Sequence, residues 1–181
     1  MNIFKFLKNY LRPSAGQVEA KQNAVSEPDN HYTITENMQG VSSRDFVINR
    51  CCTPDFITQV GRKEIFVFGS NLQGYHAGGA ARIAHKQFGA IWRCGVGLQG
   101  NTYAIPTMQG GIETIQPYVD NFIEFAKSRP DLIFYVTKIG CGIAGFKVEE
   151  IAPLFSMALK IPNIRLPKEF HNIIQSGLSA N

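Results

Sequence analysis

The chain has 181 residues, is 44% hydrophobic and 18% charged, and carries a net charge of +4 with an isoelectric point near 8.9. It is long enough to bury a core in one compact domain with some chain to spare. A charge this mild does not by itself argue for nucleic acid and equally suits an anionic small ligand, and the lack of any run of 18 apolar residues excludes a membrane-spanning helix.

Cys51, Cys52, Cys94 and Cys141 contain no Cys-x-x-Cys pair. They present neither a zinc pattern nor a disulfide framework, and point to a reducing, cytoplasmic setting with no metal or cofactor.

The first residues, MNIFKFLKNYLRP, place Ile3, Phe4, Phe6, Leu7, Tyr10 and Leu11 on one side of a short helix, opposite Lys5, Lys8 and Arg12. Such a segment either touches a membrane surface or a partner, or is a loosely held chain end. Ser14 to Gly40 is polar and aperiodic and reads as a flexible linker, so residues 1–40 are set apart from a domain over 41–181. Within that domain DFVINR is a candidate first strand. In CCTPDFITQV, Thr53 is placed to cap a helix with Pro54 in its first turn. EIFVFGS is a buried strand, and Gly78 to Phe88 a helix stopped by Gly89. TYAIPT is a strand ended by Pro106. Glu113 to Ser128 has helical apolar spacing at Ile115, Val119, Phe122, Ile123 and Ala126. LIFYVTKIG is the strongest strand signal. KVEEIAPLFSMALK is a helix with Pro153 in its early turns, and IRLP and KEFHNIIQ form a last strand and helix. This alternation predicts an α/β fold with a mostly parallel sheet covered on both faces, its ligand at the carboxyl ends of the strands.

Two glycine-rich loops lie at such ends, Gly69–Gly79 and Gly140–Gly145, and the sheet is expected to bring them together. The literal G-x-G-x-x-G at Gly95, Gly97 and Gly100 is not a dinucleotide loop, because a strand follows it where a helix is required. The Walker spacing of Gly69 and Gly74 fails too, since Tyr75 and His76 stand where Lys and Ser or Thr belong. What the loops offer instead is bare backbone. Glycine lets successive N–H groups close on an anion, and Gly78 and Gly79 open a helix whose N-terminus adds partial positive charge. A diphosphate held between the loops is the physical reading. Tight turns that only pack helix on sheet are the alternative.

FGSNLQGYHAGGAARIAHKQFGA, followed by YAIPT and TKIGCGIAGFKVEEIAPLF, resembles the macro-domain superfamily, in particular bacterial and phage macro-like domains. The likeness covers about residues 45 to 170. It implies a three-layer α/β/α sandwich with a mixed, mostly parallel sheet that binds ADP-ribose or a related NAD-derived nucleotide. In that likeness Gly69, Ser70 and Asn71 end a central strand, with Asn71 on the distal ribose. Gly78 and Gly79 open the next helix, and Gly140, Cys141, Gly142, Ile143, Ala144, Gly145 and Phe146 form the diphosphate loop. Asp45 and Asp55 are candidates for the adenine-contacting aspartate. The lysine and aspartate of one ADP-ribose-removing subgroup correspond to Met108 and Ala144 here, so a lysine-adduct mechanism is not expected.

Two classes of function follow from the resemblance, a binding module for the nucleotide or for an ADP-ribosylated macromolecule, and a hydrolase of ADP-ribosyl or ADP-ribose-phosphate esters that works by positioning. In the hydrolase Asn71 orients the ribose and His76 is a candidate general acid or base; otherwise His76 is a loop histidine bonded to backbone. Cys141 is either a thiol nucleophile activated by His76 or a small residue packed under its loop. His85, His171, Arg82 and Lys86 read as surface or packing residues. Trp92 with Arg93 is either a base-stacking pair or a partly buried aromatic. A nucleic-acid-binding or protein-interaction module is a further alternative, although no basic run or interleaved aromatic stripe is visible in the sequence.

Overall fold

The computed structural model describes residues 52–178. The expected strand at 45–50, Asp45, the segment 1–40 and the domain boundary near residue 41 lie outside the described residues.

Among the described residues five strands form one sheet: β1 (Glu64–Ser70), β2 (Gly97–Gln99), β3 (Thr102–Pro106), β4 (Ile133–Val136) and β5 (Ile164–Arg165). Their spatial order is β2-β3-β1-β4-β5. β1 runs parallel to both β3 and β4, and β5 parallel to β4, while β2 is antiparallel to β3. The helices are α1 (Gly79–Gln87), α2 (Ile112–Ser128), α3 (Val148–Ile151) and α4 (Lys168–Leu178), with a 3₁₀ run over Ala152–Lys160. No helix among the described residues is long and apolar enough to cross a membrane.

The pleat of β1 sorts the core into two layers. Ile65 and Val67 pack with Tyr103, Ile105, Phe134 and Val136 under α2, the 3₁₀ run and α4. Phe66 and Phe68 point the other way, onto Ala81, Ala84 and Phe88 of α1 and its end. Successive strand residues face opposite sides, so a continuous apolar run such as IFVF needs cover on both. The result is the expected three-layer α/β/α sandwich, with a thick layer on one face and, among the described residues, α1 with Ile57 and Val60 on the other.

Local signals explain most of the elements. Ile115, Val119, Phe122, Ile123 and Ala126 form the buried stripe of α2. The Asn163 amide collects carbonyls where that helix ends, at 2.9 Å from Ala126 O and Arg129 O and 3.0 Å from Leu132 O. Gly89, at φ +86°, turns the chain away from α1 in the left-handed region open to glycine. β2 and β3 form a hairpin through Gly100 and Asn101, with Gln99 opposite Thr102. GVGLQG is therefore half of a hairpin, with no helix to follow it.

Two expectations need correction. Residues 53–60 are not helical. Cys52 bridges to Leu166, the Thr53 N–H donates to Leu166 O, and the Thr53 hydroxyl donates to Arg165 O at 2.7 Å. The hydroxyl read as a helix cap is spent on extending the sheet edge. The helix expected over 147–160 is α-helical for one turn and 3₁₀ thereafter. Pro153 has no N–H to continue the α pattern, and the chain takes the tighter one.

Phe122 is fully buried among Tyr103, Phe134 and Phe155, whereas Met157 is 55% exposed. Phe122→Ala is expected to cost about 3–5 kcal/mol of unfolding free energy, and Met157→Ala no more than about 0.5 kcal/mol. Denaturant unfolding of the two variants checks the contrast.

Candidate functional site: a glycine-lined cleft at the strand ends

The carboxyl ends of β1, β3 and β4 lie side by side, and the loops after them converge. Ser70 is paired with Pro106, and the Thr107 N–H donates to Ser70 O at 3.0 Å. A side-chain carbon added to Gly69 would stand 3.4 Å from the Gly140 nitrogen, so the β1 and β4 ends touch backbone to backbone. One added to Gly78 would come within 2.7 Å of the Ile143 side chain, which bridges the two glycine loops.

A cavity of about 360 Å³ opens between these loops. Of the residues expected in the site, Gly69, Ser70, Asn71, Gly78, Gly79, Gly140, Gly142, Ile143 and Ala144 line it. Tyr75, Thr107, Thr137 and Lys138 line it as well, together with Met108. A larger cavity of about 920 Å³ adjoins it, sharing Gly79, Ala80, Thr137 and Lys138. Its far wall is the segment from Thr53 to Thr58, including Asp55 and the 90% exposed Phe56. Apart from Tyr75, in the loop after β1, the missed residues sit at strand ends or on the segment expected to be a helix. Aligning the ends of the three parallel strands would have found Thr107, Thr137 and Lys138.

The backbone donors of the smaller cavity are open. Within the second loop the N–H groups of Cys141, Gly145 and Phe146 are taken by Lys138 O, Gly142 O and Gly140 O. Those of Gly142, Ile143 and Ala144 have no backbone partner among the described residues. Three successive free N–H groups make an anion-binding nest. Across the cavity Gly79, Ala80 and Ala81 form the first turn of α1, where N–H groups have no intrahelical acceptor. Lys138 adds a cation where the two cavities meet. Its ammonium pairs with Glu169, and that hydrogen bond raises the lysine pKa and lowers that of the carboxylate.

Asn71 reaches the cavity with its amide already engaged. Nδ2 donates to Tyr75 O and Oδ1 accepts from the Tyr75 N–H, both at 2.9 Å. This closes the turn over residues 71–75 and leaves one Nδ2 hydrogen for a ligand.

His76, Cys141, Gly145 and Phe146 do not line the cavity. His76 is 1% exposed and fixes a neighbouring turn, its Nε2 lying 3.1 Å from both Ile91 O and Cys94 O. Two carbonyl acceptors require the proton on Nε2, so Nδ1 is bare, and it is buried without a partner among the described residues. Burial lowers the His76 pKa against the opposing pull of the two carbonyls, and nearby His85 lowers it further. A neutral, enclosed imidazole committed to backbone is not placed to move a ligand's proton. The Cys141 thiol donates to Ile139 O and packs against the main core. Burial pushes its pKa up, against the pull of Lys138, which is the reverse of an activated nucleophile. Phe146 packs on the same core. Met108 and Ala144 both line the cavity and bring no titratable group to it.

Comparison with known proteins finds no match among family models, curated proteins or solved structures.

The buried neutral His76 sets a pH dependence. Its folded pKa lies below the ordinary value of 6.5, so the unfolded chain binds the proton more tightly. Its contribution to stability is whole above pH 6.5, and is lost as pH falls towards the folded pKa. His76→Gln is expected to flatten the stability curve in that window, whatever its effect at neutral pH. Denaturant titrations across the window that run parallel for the two proteins would contradict this.

Proposed function

We propose that the cleft binds ADP-ribose or a closely related nucleotide diphosphate, and that the protein is a recognition module of macro-domain type. The observation carrying this reading is that the smaller cavity is lined by two segments with uncommitted backbone donors, Gly142–Ala144 and the first turn of α1. Such donors suit a diphosphate, which needs several hydrogen bonds from two sides and no titratable partner. The adjoining larger cavity has room for a nucleoside, with Phe56 offering a ring and Asp55 a carboxylate acceptor. Asn71 lines only the smaller cavity and would meet a sugar hydroxyl there. Each of the two volumes falls in the range of small-ligand sites.

Binding is favoured over hydrolysis by the groups at hand. The titratable side chains lining the smaller cavity are Tyr75 and Lys138, and the Lys138 ammonium is tied to Glu169. That hydrogen bond raises the lysine pKa, so Lys138 is not poised as a general base near neutral pH.

Calorimetric titration of the full chain with ADP-ribose, ADP, NAD and ribose 5-phosphate tests the proposal. ADP-ribose is expected to bind in the micromolar range, ADP more weakly and ribose 5-phosphate weakest, in the order of groups engaged. Asn71→Ala should weaken ADP-ribose about tenfold or more, with a smaller effect on ADP. Equal affinity for ribose 5-phosphate and ADP-ribose, or no heat with any of the four, would overturn it.

A further inference from the structure

A second surface stands beside the cleft. Between Glu64 and Glu113 the sequence contains no Asp or Glu, and its three Lys and Arg residues are Arg82, Lys86 and Arg93. All three are exposed, and none joins an ion pair among the described residues. Arg82 and Lys86 are one turn apart on α1, in a stripe with His85. The His85 ring lies 5.7 Å from that of Trp92, which in turn lies 5.8 Å from that of Tyr75. Trp92 is 44% and Tyr75 50% exposed, large fractions for rings of this size. The sequence scatters these residues over 19 positions; the fold gathers the three rings, and the same helix and turn carry the cations.

The geometry points to single-stranded nucleic acid as the occupant of this face, with bases stacked on Trp92 and Tyr75 and phosphates met by Arg93, Arg82 and Lys86. Stacking platforms edged by positive charge bind single strands because every base has a π-face and every nucleotide an anion. Charge complementarity is one-sided here, with three cations and no carboxylate from the whole stretch. An acidic protein segment would meet the cations and leave both rings without a stacking partner. Arg93 is the one described non-glycine residue with positive φ, at 68°, and its N–H donates to Gly74 O. That bond ties the arginine to the loop that carries Tyr75, so ring and cation are positioned together. The inference goes beyond the nucleotide cleft and does not require it.

Trp92 is the chain's one tryptophan, so its fluorescence arises from this platform. The experiment is titration of the full chain with oligothymidylate about a dozen nucleotides long, with polyglutamate as the acidic-polypeptide comparison. Oligothymidylate is expected to quench Trp92, and log affinity should fall with log salt at a slope of about −2 for three phosphate contacts on a single strand. The double variant Arg82→Ala, Lys86→Ala should bring that slope to about −0.7. Followed by anisotropy of a labelled oligonucleotide, Trp92→Ala should bind about tenfold more weakly, and Trp92→Phe should retain most of the affinity. These substitutions are on exposed side chains, so folding is expected to survive them. Unchanged Trp92 emission at low salt would overturn the proposal, as would variants that bind like the parent. Polyglutamate matching oligothymidylate in both affinity and quenching would also overturn it and assign the face to an acidic protein segment.

Discussion

The cleft and the aromatic face both depend on one close approach of backbone to backbone. A side-chain carbon on Gly95 would stand 2.1 Å from Asn71 O, and one on Gly74 2.3 Å from the Cys94 nitrogen. No Cβ fits at either position, so the turn over 91–95 lies directly against the loop over 71–75. Hydrogen bonds hold it there. The Ser70 hydroxyl donates to Gly95 O, the His76 ring to Ile91 O and Cys94 O, and the Gln99 amide to Cys94 O. In return the Ile91 N–H donates to Gln99 Oε1. Buried polar groups that are satisfied in this way specify a single arrangement, since each would cost free energy if left unpaired. The end of β1 is thereby fixed, Asn71 closes its turn, and the chain enters α1 with its N-terminus at the cavity. The same contact sets Trp92 beside Tyr75.

Recognition by backbone has chemical consequences. N–H groups do not titrate, and their direction is set by the fold instead of by side-chain rotamers. A site built from them holds an anion over a wide pH range and offers little for proton transfer. The groups that could have supplied proton transfer are used elsewhere, His76 on the 91–95 turn and Cys141 against the core. Lys138, at the junction of the two cavities, is the exception. Its pairing with Glu169 is exposed enough for a ligand phosphate to compete for the ammonium.

The sandwich itself was readable wherever burial imposes a simple pattern. IFVF must be covered on both faces, and the stripe from Ile115 to Ala126 can only be helical. Position was harder to read where a residue's partner is remote in sequence. Thr53-Pro54 carries the same local signal at a helix start and at a sheet edge, and the edge wins through Arg165 and Leu166, more than a hundred residues away. The glycine loops were visible because bare backbone is itself a signal. For His76 the sequence left two readings, a general acid or base and a loop histidine bonded to backbone, and the second holds through a turn 15 to 18 residues further on. The Tyr75, His85 and Trp92 cluster escaped for a related reason, as its members come from a loop, a helix and a turn that only the interlock brings together.

In the proposed complex, free backbone donors of the two loops hold the ligand's phosphates. The most direct test is an amide-resolved NMR titration of the chain with ADP-ribose. Large downfield shifts are expected for the amides of Gly142, Ile143 and Ala144 and for those of Gly79, Ala80 and Ala81, saturating together. Binding that leaves these six amides unmoved, or that shifts only residues outside both loops, would contradict this arrangement.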